Sequence, residues 1–268
     1  LNQKGDLKYY PICLDVADRS CLVVGGGSVG ARKALTLSRC GAQVTVVSPL
    51  FSDEFTAFAH HDMDDEDAGF TISKRSASCD ADGKDSSCVT SVRDVNHLVH
   101  RRSGGISCIK KEYDSDDLDS MFLVIGATDN MDLNRQIARD AKARDILCNI
   151  ADFPEGSSFV LPSIVQRGDL VITISTSGKS PALAKKVRKE LELQFGKEYA
   201  TFLTLMGDIR KGLLSQNHSP EEHAAIFREL VNSDLLEKIA SGDGAGIDNT
   251  LKRTLGSNTP DHQLIFGE

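Results

Sequence analysis

A run of glycines and two aspartates are the residues of this chain best placed to do chemistry. Gly25, Gly27 and Gly30 fall on the spacing G-x-G-x-x-G, directly after the apolar run Leu22-Val23-Val24 and directly before a helix-forming stretch. In that setting the first glycine permits a tight strand-to-helix turn. The second removes a Cβ that would block a pyrophosphate, and the third lets the helix lie close on the strand. Amides at the helix N-terminus then face phosphate oxygens, where the helix dipole favours negative charge. A glycine-rich turn without a ligand is the alternative. A second apolar strand at 43–47 completes a βαβ unit of ordinary length and favours dinucleotide binding. Asp129 and Asp152 each follow an apolar run, at 122–127 and 146–150. They therefore arrive at the carboxyl ends of parallel strands, the edge where ligands bind in open α/β sheets.

The elements that position these residues follow from apolar periodicity. Residues 29–40 carry alanine, leucine and lysine at helical spacing and stop at Gly41. Strand 43–47 ends at Ser48-Pro49, near the place where many NAD-binding folds set an acidic residue on the ribose 2′-hydroxyl. Here that place holds Ser48, with Asp53 and Glu54 a few residues later and no arginine beside it for a 2′-phosphate, a pattern that leans towards NAD. Residues 9–16 read as an edge strand ending in a turn at 18–19. From about 60 to 105 the chain turns polar and acidic, and the doubly wound pattern resumes only at 106–110, so this segment reads as a surface insertion. Its Cys79, Cys88, His97 and His100 match no common metal spacing and read as solvated polar surface. Residues 131–144 form a helix with Leu133, Ile137 and Ala141 on its buried stripe.

Past Asp152 the pattern changes. Residues 159–165 and 170–175 are joined too closely for a crossover helix and read as an antiparallel pair whose apolar runs call for a second surface, such as a homodimer partner. The polar loop Thr176-Ser177-Gly178-Lys179-Ser180 then leads into a helix over 181–195, with further helices over 197–214 and 220–240. The Gly, Asp, Asn and Thr content after Ser241 predicts a largely disordered tail.

Composition limits the function classes. With 268 residues and 40% hydrophobic content the chain can bury a real core, and a net charge of -8 argues against a general nucleic-acid binder. Seven cysteines without a CxxC pair suit free thiols in a reducing compartment, and no apolar run reaches membrane-spanning length. Together with the lack of a leader-like apolar N-terminus, these features predict a cytoplasmic protein without a membrane partner.

Five blocks in order carry a resemblance. They are Val23-Val24-Gly25-Gly26-Gly27-Ser28-Val29-Gly30, Ile125-Gly126-Ala127-Thr128-Asp129, Cys148-Asn149-Ile150-Ala151-Asp152, Ser158-Phe159-Val160-Leu161-Pro162-Ser163 and Ser175-Thr176-Ser177-Gly178-Lys179-Ser180-Pro181. The chain resembles the precorrin-2 dehydrogenases, a family that includes the N-terminal half of siroheme synthase, over about residues 9–214. The resemblance implies a Rossmann-like NAD-binding domain over 1–161, a small β dimerisation region over 162–180 and a helical domain over 181–240, with 241–268 as the tail. It implies NAD-dependent oxidation of precorrin-2 to sirohydrochlorin by a homodimer, and in some members insertion of Fe2+ or Co2+ into the product.

By the same resemblance Asp152 is the catalytic residue for both reactions. Cofactor contacts fall on Gly25, Gly27, Ser28, Val29, Gly30, Pro49, Leu50 and Thr128, with Asp129 either bordering the cofactor or capping the next helix. Ser175, Thr176, Ser177, Lys179 and Ser180 fall on a loop near the tetrapyrrole. A serine phosphorylated in one branch of the family is Thr176 here, a departure from that branch. Lys179, Lys185, Lys186 and Arg188 are placed to meet substrate carboxylates or to form a solvated helix face. A dehydrogenase without chelatase activity is the first reading and a bifunctional enzyme the second. An NAD-sensing module without turnover is the reading from another class.

Overall fold

The computed structural model describes residues 8–55, 70–73, 104–214 and 220–256. They fall into two compact units, Leu1–Leu161 and Pro162–Glu268. The first is built on six parallel strands: β1 (Ser20–Gly26), β2 (Gln43–Phe51), β3 (Phe70–Ser73), β4 (Ile106–Lys110), β5 (Leu123–Gly126) and β6 (Leu147–Ile150). Their order across the sheet is β3-β4-β2-β1-β5-β6. The chain moves outward from β1 through β2 to β3 at the edge, steps back to β4 between β3 and β2, then returns past β1 to place β5 on its other side. The winding therefore reverses between β1 and β5, the position whose carboxyl ends bind ligands in open α/β sheets.

Both faces of the sheet are covered, which is why the strands are near-continuous apolar runs. Helix α1 (Ser28–Arg39) sets Ala31 and Ala34 against Cys21, Val23, Val44, Val46, Cys108 and Ile125 on one face. Helix α2 (Met131–Ala143) sets Ile137 and Ala141 against Leu22, Val24, Val47, Val124, Cys148 and Ile150 on the other. Alternation along each strand thus divides its residues between two cores.

Two expectations for this unit are corrected. Residues 9–16 form no strand: the segment runs irregularly to a turn in which Asp18 has φ 59°. The proline and the positive-φ turn leave the segment unpaired. The region read as an insertion contains β3, which pairs in register with β4 from Phe70↔Ile106 to Ser73↔Ile109. Four residues flanked by polar sequence are too short to announce a strand, and only the neighbouring edge of β4 recruits them. Cys79, Cys88, His97 and His100 lie outside the described residues. Among those described, no group of histidine, cysteine and carboxylate side chains is arranged to hold a metal ion.

The second unit opens with the expected antiparallel pair, β7 (Ser163–Arg167) and β8 (Leu170–Ile174), turning at Gly168 with φ 56°. Val165 is buried, whereas Ile164 and Val171 lie exposed on the other face of the pair. Arg167 reaches from β7 to the end of α3 (Pro181–Gln194) and donates to the carbonyls of Glu192 at 3.0 Å and Phe195 at 2.8 Å, groups a helix terminus leaves without partners. Helices α4 (Glu198–Leu214), α5 (Pro220–Val231), α6 (Leu235–Ser241) and α7 (Gly244–Leu255) follow, around a core that includes Leu205, Ile209, Leu230, Leu235 and Leu251. Among the described residues no helix is long and apolar enough to cross a membrane.

The helix expected over 220–240 is two helices. The side chains of Asn232 and Ser233 bond back to the carbonyls of Arg228 and Leu230, competing with the helical ladder at the break. The tail expected to be disordered forms α7 over its first half. Asp243 caps it by accepting from the Gly246 N–H at 2.9 Å, and Ile247, Leu251 and Leu255 recur at four-residue spacing to bury one stripe. Lys238 joins α6 to α7 through Asp234 at 2.9 Å and Thr250 at 2.7 Å. Residues 257–268 lie outside the described residues.

Two measurements check this packing. Leu251→Ala is expected to lower unfolding stability by about 2–5 kcal/mol in urea denaturation, whereas a residue in a disordered tail would change it by almost nothing. Burial pushes the thiols of Cys21, Cys108 and Cys148 up to about 11, while Cys13 and Cys40 are exposed. Iodoacetamide at pH about 8 is therefore expected to label Cys13 and Cys40 in the native protein and to reach the other three only after unfolding.

Candidate functional site

The glycine turn after β1 is a place where three backbones crowd together. Gly25 has φ 123°, and a Cβ there would lie 2.4 Å from the carbonyl oxygen of Ala127, just past β5. A Cβ on Gly30 would lie 2.0 Å from the Gly25 carbonyl oxygen, so the helix rests directly on the turn. Around Gly27 the opposite holds, since an added Cβ would meet, among the described residues and apart from its own chain neighbours, no atom within 4 Å. The same residue is the N-cap of α1 and has no side chain to offer, and the first turn of α1 contains no acidic residue. The amides of Ser28, Val29 and Gly30 thus open α1 without a side-chain acceptor, beside free space. That arrangement fits the pyrophosphate of a dinucleotide.

Gly26 was not among the residues singled out from spacing. A Cβ there would lie 2.0 Å from the Leu50 carbonyl oxygen and 2.9 Å from Ser48 Oγ. Because Gly26 has no side chain, β2 continues past Ser48-Pro49 to Phe51, which pairs with Gly26 across an irregular register, and the Ser52 N–H donates to the Gly26 carbonyl at 2.8 Å. The signal in the sequence was three glycines in a row where the motif needs only two. Pro49 and Leu50 are consequently exposed on the stretch that crosses the turn. Ser48 is buried and donates its hydroxyl to the Leu50 carbonyl at 2.6 Å, so it is committed to the backbone.

On the other side of β1, β5 delivers Thr128. Its hydroxyl donates to Asn134 Oδ1 at 2.8 Å, and Asn134 Nδ2 donates back to the Thr128 carbonyl at 2.9 Å. Asn134 is buried, and this reciprocal pair holds the β5–α2 turn in one conformation. Sequence reading missed it because a polar residue inside an amphipathic helix carries no local mark. The cap of α2 is Asn130, which accepts from the amides of Asp132 and Leu133 at 3.0 and 3.1 Å. Asp129 is therefore not the cap, and its side chain is exposed.

Asp152 follows β6 with φ 59°, a left-handed conformation in which aspartate is enriched among non-glycine residues. The turn is clamped on both sides. Ala151 donates to the Gly126 carbonyl at 2.8 Å, and Ser157 Oγ accepts from the Ile150 amide at 2.9 Å and donates to the Phe153 carbonyl at 3.0 Å. Ser158 continues this edge, accepting from the Cys148 amide with its hydroxyl at 2.8 Å and donating its own amide to the Cys148 carbonyl at 2.8 Å. Serine hydroxyls thus stand in for a neighbouring strand along β6. The Asp152 carboxylate is exposed and, among the described residues, makes no hydrogen bond or ion pair.

Register brings these residues to one edge. Val24, Gly126 and Ile150 are mutually paired across β1, β5 and β6, so Thr128 and Asp152 each stand two residues past the same row. Two strand spacings put the ends of β1 and β6 about 10 Å apart. That span suits a cofactor lying on the glycine turn and a reacting carbon set between its far end and a carboxylate.

The loop at 175–180 belongs to the second unit, and its polar groups are largely turned on its own backbone. Ser177 and Gly178 have φ 53° and 79°, Ser175 Oγ accepts from the Ser177 amide at 3.2 Å, and Thr176 Oγ1 accepts from the Ser180 amide at 3.2 Å. Ser180 caps α3 through the Leu183 amide at 3.2 Å. Lys179 and Lys185 are exposed, while Lys186 and Arg188 pair with Glu190 and Glu192 one turn along α3.

Comparison with known proteins places the chain by family and fold. A family profile described as NAD(P)-binding matches residues 12–163, more than half of the chain, and one described as sirohaem biosynthesis protein central matches residues 167–194. Siroheme synthases from Shigella boydii serotype 18 and Escherichia coli O139:H28 are each 30% identical over 259 residues, 96% of this chain and 47% of the relative. That of Salmonella dublin is 28% identical over 258 residues. The chain thus spans about half the length of these relatives. A solved structure titled SirC, precorrin-2 dehydrogenase, superposes with a TM-score of 0.64 at 20% identity, covering 92% of this chain and 99% of that one, which places the fold.

The glycines separate structure from binding in a pair of variants. Gly27→Ala is expected to lower stability by less than about 1 kcal/mol, the cost of alanine in place of glycine at an N-cap, while weakening NADH binding at least about tenfold. Gly26→Ala is expected to lower stability by about 1–3 kcal/mol through the clash with Leu50. Thermal unfolding and NADH fluorescence titration read the two effects separately.

Proposed function

Because this chain belongs to the NAD(P)-binding family of precorrin-2 dehydrogenases and siroheme synthases, we propose that it oxidises precorrin-2 to sirohydrochlorin with NAD as hydride acceptor. The observation that carries the reading is the Asp152 carboxylate, unpaired among the described residues and held two residues beyond the row that also ends at the glycine turn. The reaction removes a hydride and a proton from the macrocycle, giving sirohydrochlorin, NADH and H+. The nicotinamide supplies the acceptor for the hydride. Asp152 takes the proton: among the described residues no cation is committed to its carboxylate, and Ala151 and Ser157 clamp the turn that carries it.

The remaining groups bind and orient. The amides of Ser28, Val29 and Gly30 hold the pyrophosphate, with Gly25 and Gly27 leaving room for it, and Pro49, Leu50, Thr128 and Asp129 border the cofactor. Lys179 and the hydroxyls of Ser175, Thr176, Ser177 and Ser180 meet carboxylates of the tetrapyrrole. The exposed Ile164 and Val171 of β7 and β8 form the face of a homodimer. The same free carboxylate supports a second reading, in which Asp152 accepts pyrrole protons as Fe2+ or Co2+, a substrate here, enters sirohydrochlorin.

Purified protein mixed with precorrin-2 and NAD is expected to form sirohydrochlorin and NADH in equal amounts, followed by absorbance. Asp152→Asn is expected to lower kcat by at least about 100-fold while its affinity for NAD stays within about twofold of wild type. Unchanged turnover by that variant would remove Asp152 from the chemistry, and NAD binding without any turnover would identify a sensing module. Metal uptake by sirohydrochlorin with Fe2+ or Co2+ and no NAD tests the second reading.

A further inference from the structure

The tertiary pairing of strands changes what surrounds the adenosine half of the cofactor. In folds of this kind the ribose 2′ position lies at the carboxyl end of the second strand, read by a carboxylate in NAD sites or by a nearby cation that accommodates a 2′-phosphate. Here that strand end offers Ser48, whose hydroxyl is spent on the Leu50 carbonyl. The first carboxylates, Asp53 and Glu54, come only after β2 has crossed Gly26, and Glu54 already accepts from the Ser52 hydroxyl at 2.6 Å. Beside Ser48, paired with it in register, stands Lys110 at the end of β4. The Lys111 amide donates to the Ser48 carbonyl at 3.2 Å and fixes this neighbourhood.

Lys110 also leaves the sheet on the required side. Ile106 and Cys108, its alternating predecessors, pack in the core beneath α1, as do Val44 and Val46 ahead of Ser48. Alternation therefore sends Lys110 to the α1 face at the carboxyl edge, where the N-terminus of α1 opens beside Gly27. The side chain is exposed and, among the described residues, no carboxylate engages it, whereas its neighbour Lys111 is held by Asp117 at 2.6 Å.

We propose that Lys110 reads the adenosine ribose from the strand beside β2 and grips a 2′-phosphate, so that this chain takes NADP as well as NAD. The inference rests on the dinucleotide reading of the glycine turn and widens it. Its test needs no catalysis: the protein is titrated with NADH and NADPH by nicotinamide fluorescence. For wild type, dissociation constants within about tenfold of each other are expected. Lys110→Glu is expected to weaken NADPH at least about 30-fold and NADH by less than about threefold, and Lys110→Arg to retain NADPH. The NADPH affinity of wild type should also fall more steeply with salt than its NADH affinity. Wild type that binds NADH but takes NADPH about 100-fold more weakly would overturn the assignment, as would a Lys110→Glu protein that weakens both equally. If neither dinucleotide binds, the reading of the glycine turn fails and this inference falls with it.

Discussion

Everything in the first unit depends on backbones approaching one another more closely than any side chain permits. At the end of β1 the carbonyl oxygens of Ala127 and Leu50 lie where Cβ atoms of Gly25 and Gly26 would otherwise be, and the Gly25 carbonyl occupies that place for Gly30. The chain just past β5, the extension of β2 and the start of α1 all converge on one turn. Such convergence leaves the α1 amides facing outward, with the space beside Gly27 as the opening in front of them. A close-packed interior transmits displacement with little give, so a methyl group at the turn would move three elements at once.

A second layer of order holds the side chains at that edge. Thr128 is fixed by two hydrogen bonds exchanged with the buried Asn134, and the Asp152 turn is fixed by Ser157 and Ser158, which satisfy the outer edge of β6. Side chains that close backbone hydrogen bonds allow a strand to end the sheet without offering a free edge to another chain. They also frame the turn that holds Asp152, left-handed and exposed, at the end of β6. Positioning and protection are supplied by the same hydroxyls.

Charge is distributed unevenly around this edge. The whole chain is acidic, yet the first turn of α1 carries no acidic side chain and, among the described residues, Lys110 stands unpaired beside Ser48. An anionic cofactor is thus met locally by amide dipoles and a cation within a molecule whose overall charge has the opposite tendency. In the second unit Lys186 and Arg188 on α3 are matched one turn along the helix, while Lys185 on the same helix and Lys179 at its approach are exposed.

What the sequence determined by itself was whatever local physics requires. Apolar runs too continuous for a half-exposed strand marked β1, β2, β5 and β6, the Gly25, Gly27 and Gly30 spacing marked the turn, and the short link at Gly168 marked an antiparallel pair. Tertiary structure decided the rest, because it depends on which segments become neighbours. β3 exists only because β4 offers an edge, and α7 is held by a core to which it adds one stripe within a glycine-rich stretch. Asn130 rather than Asp129 caps α2, and β2 runs over Gly26 while Ser48 turns inward. Lys110 meets Ser48 across a long separation in the chain, a pairing set by the register of two parallel strands and written in no local pattern.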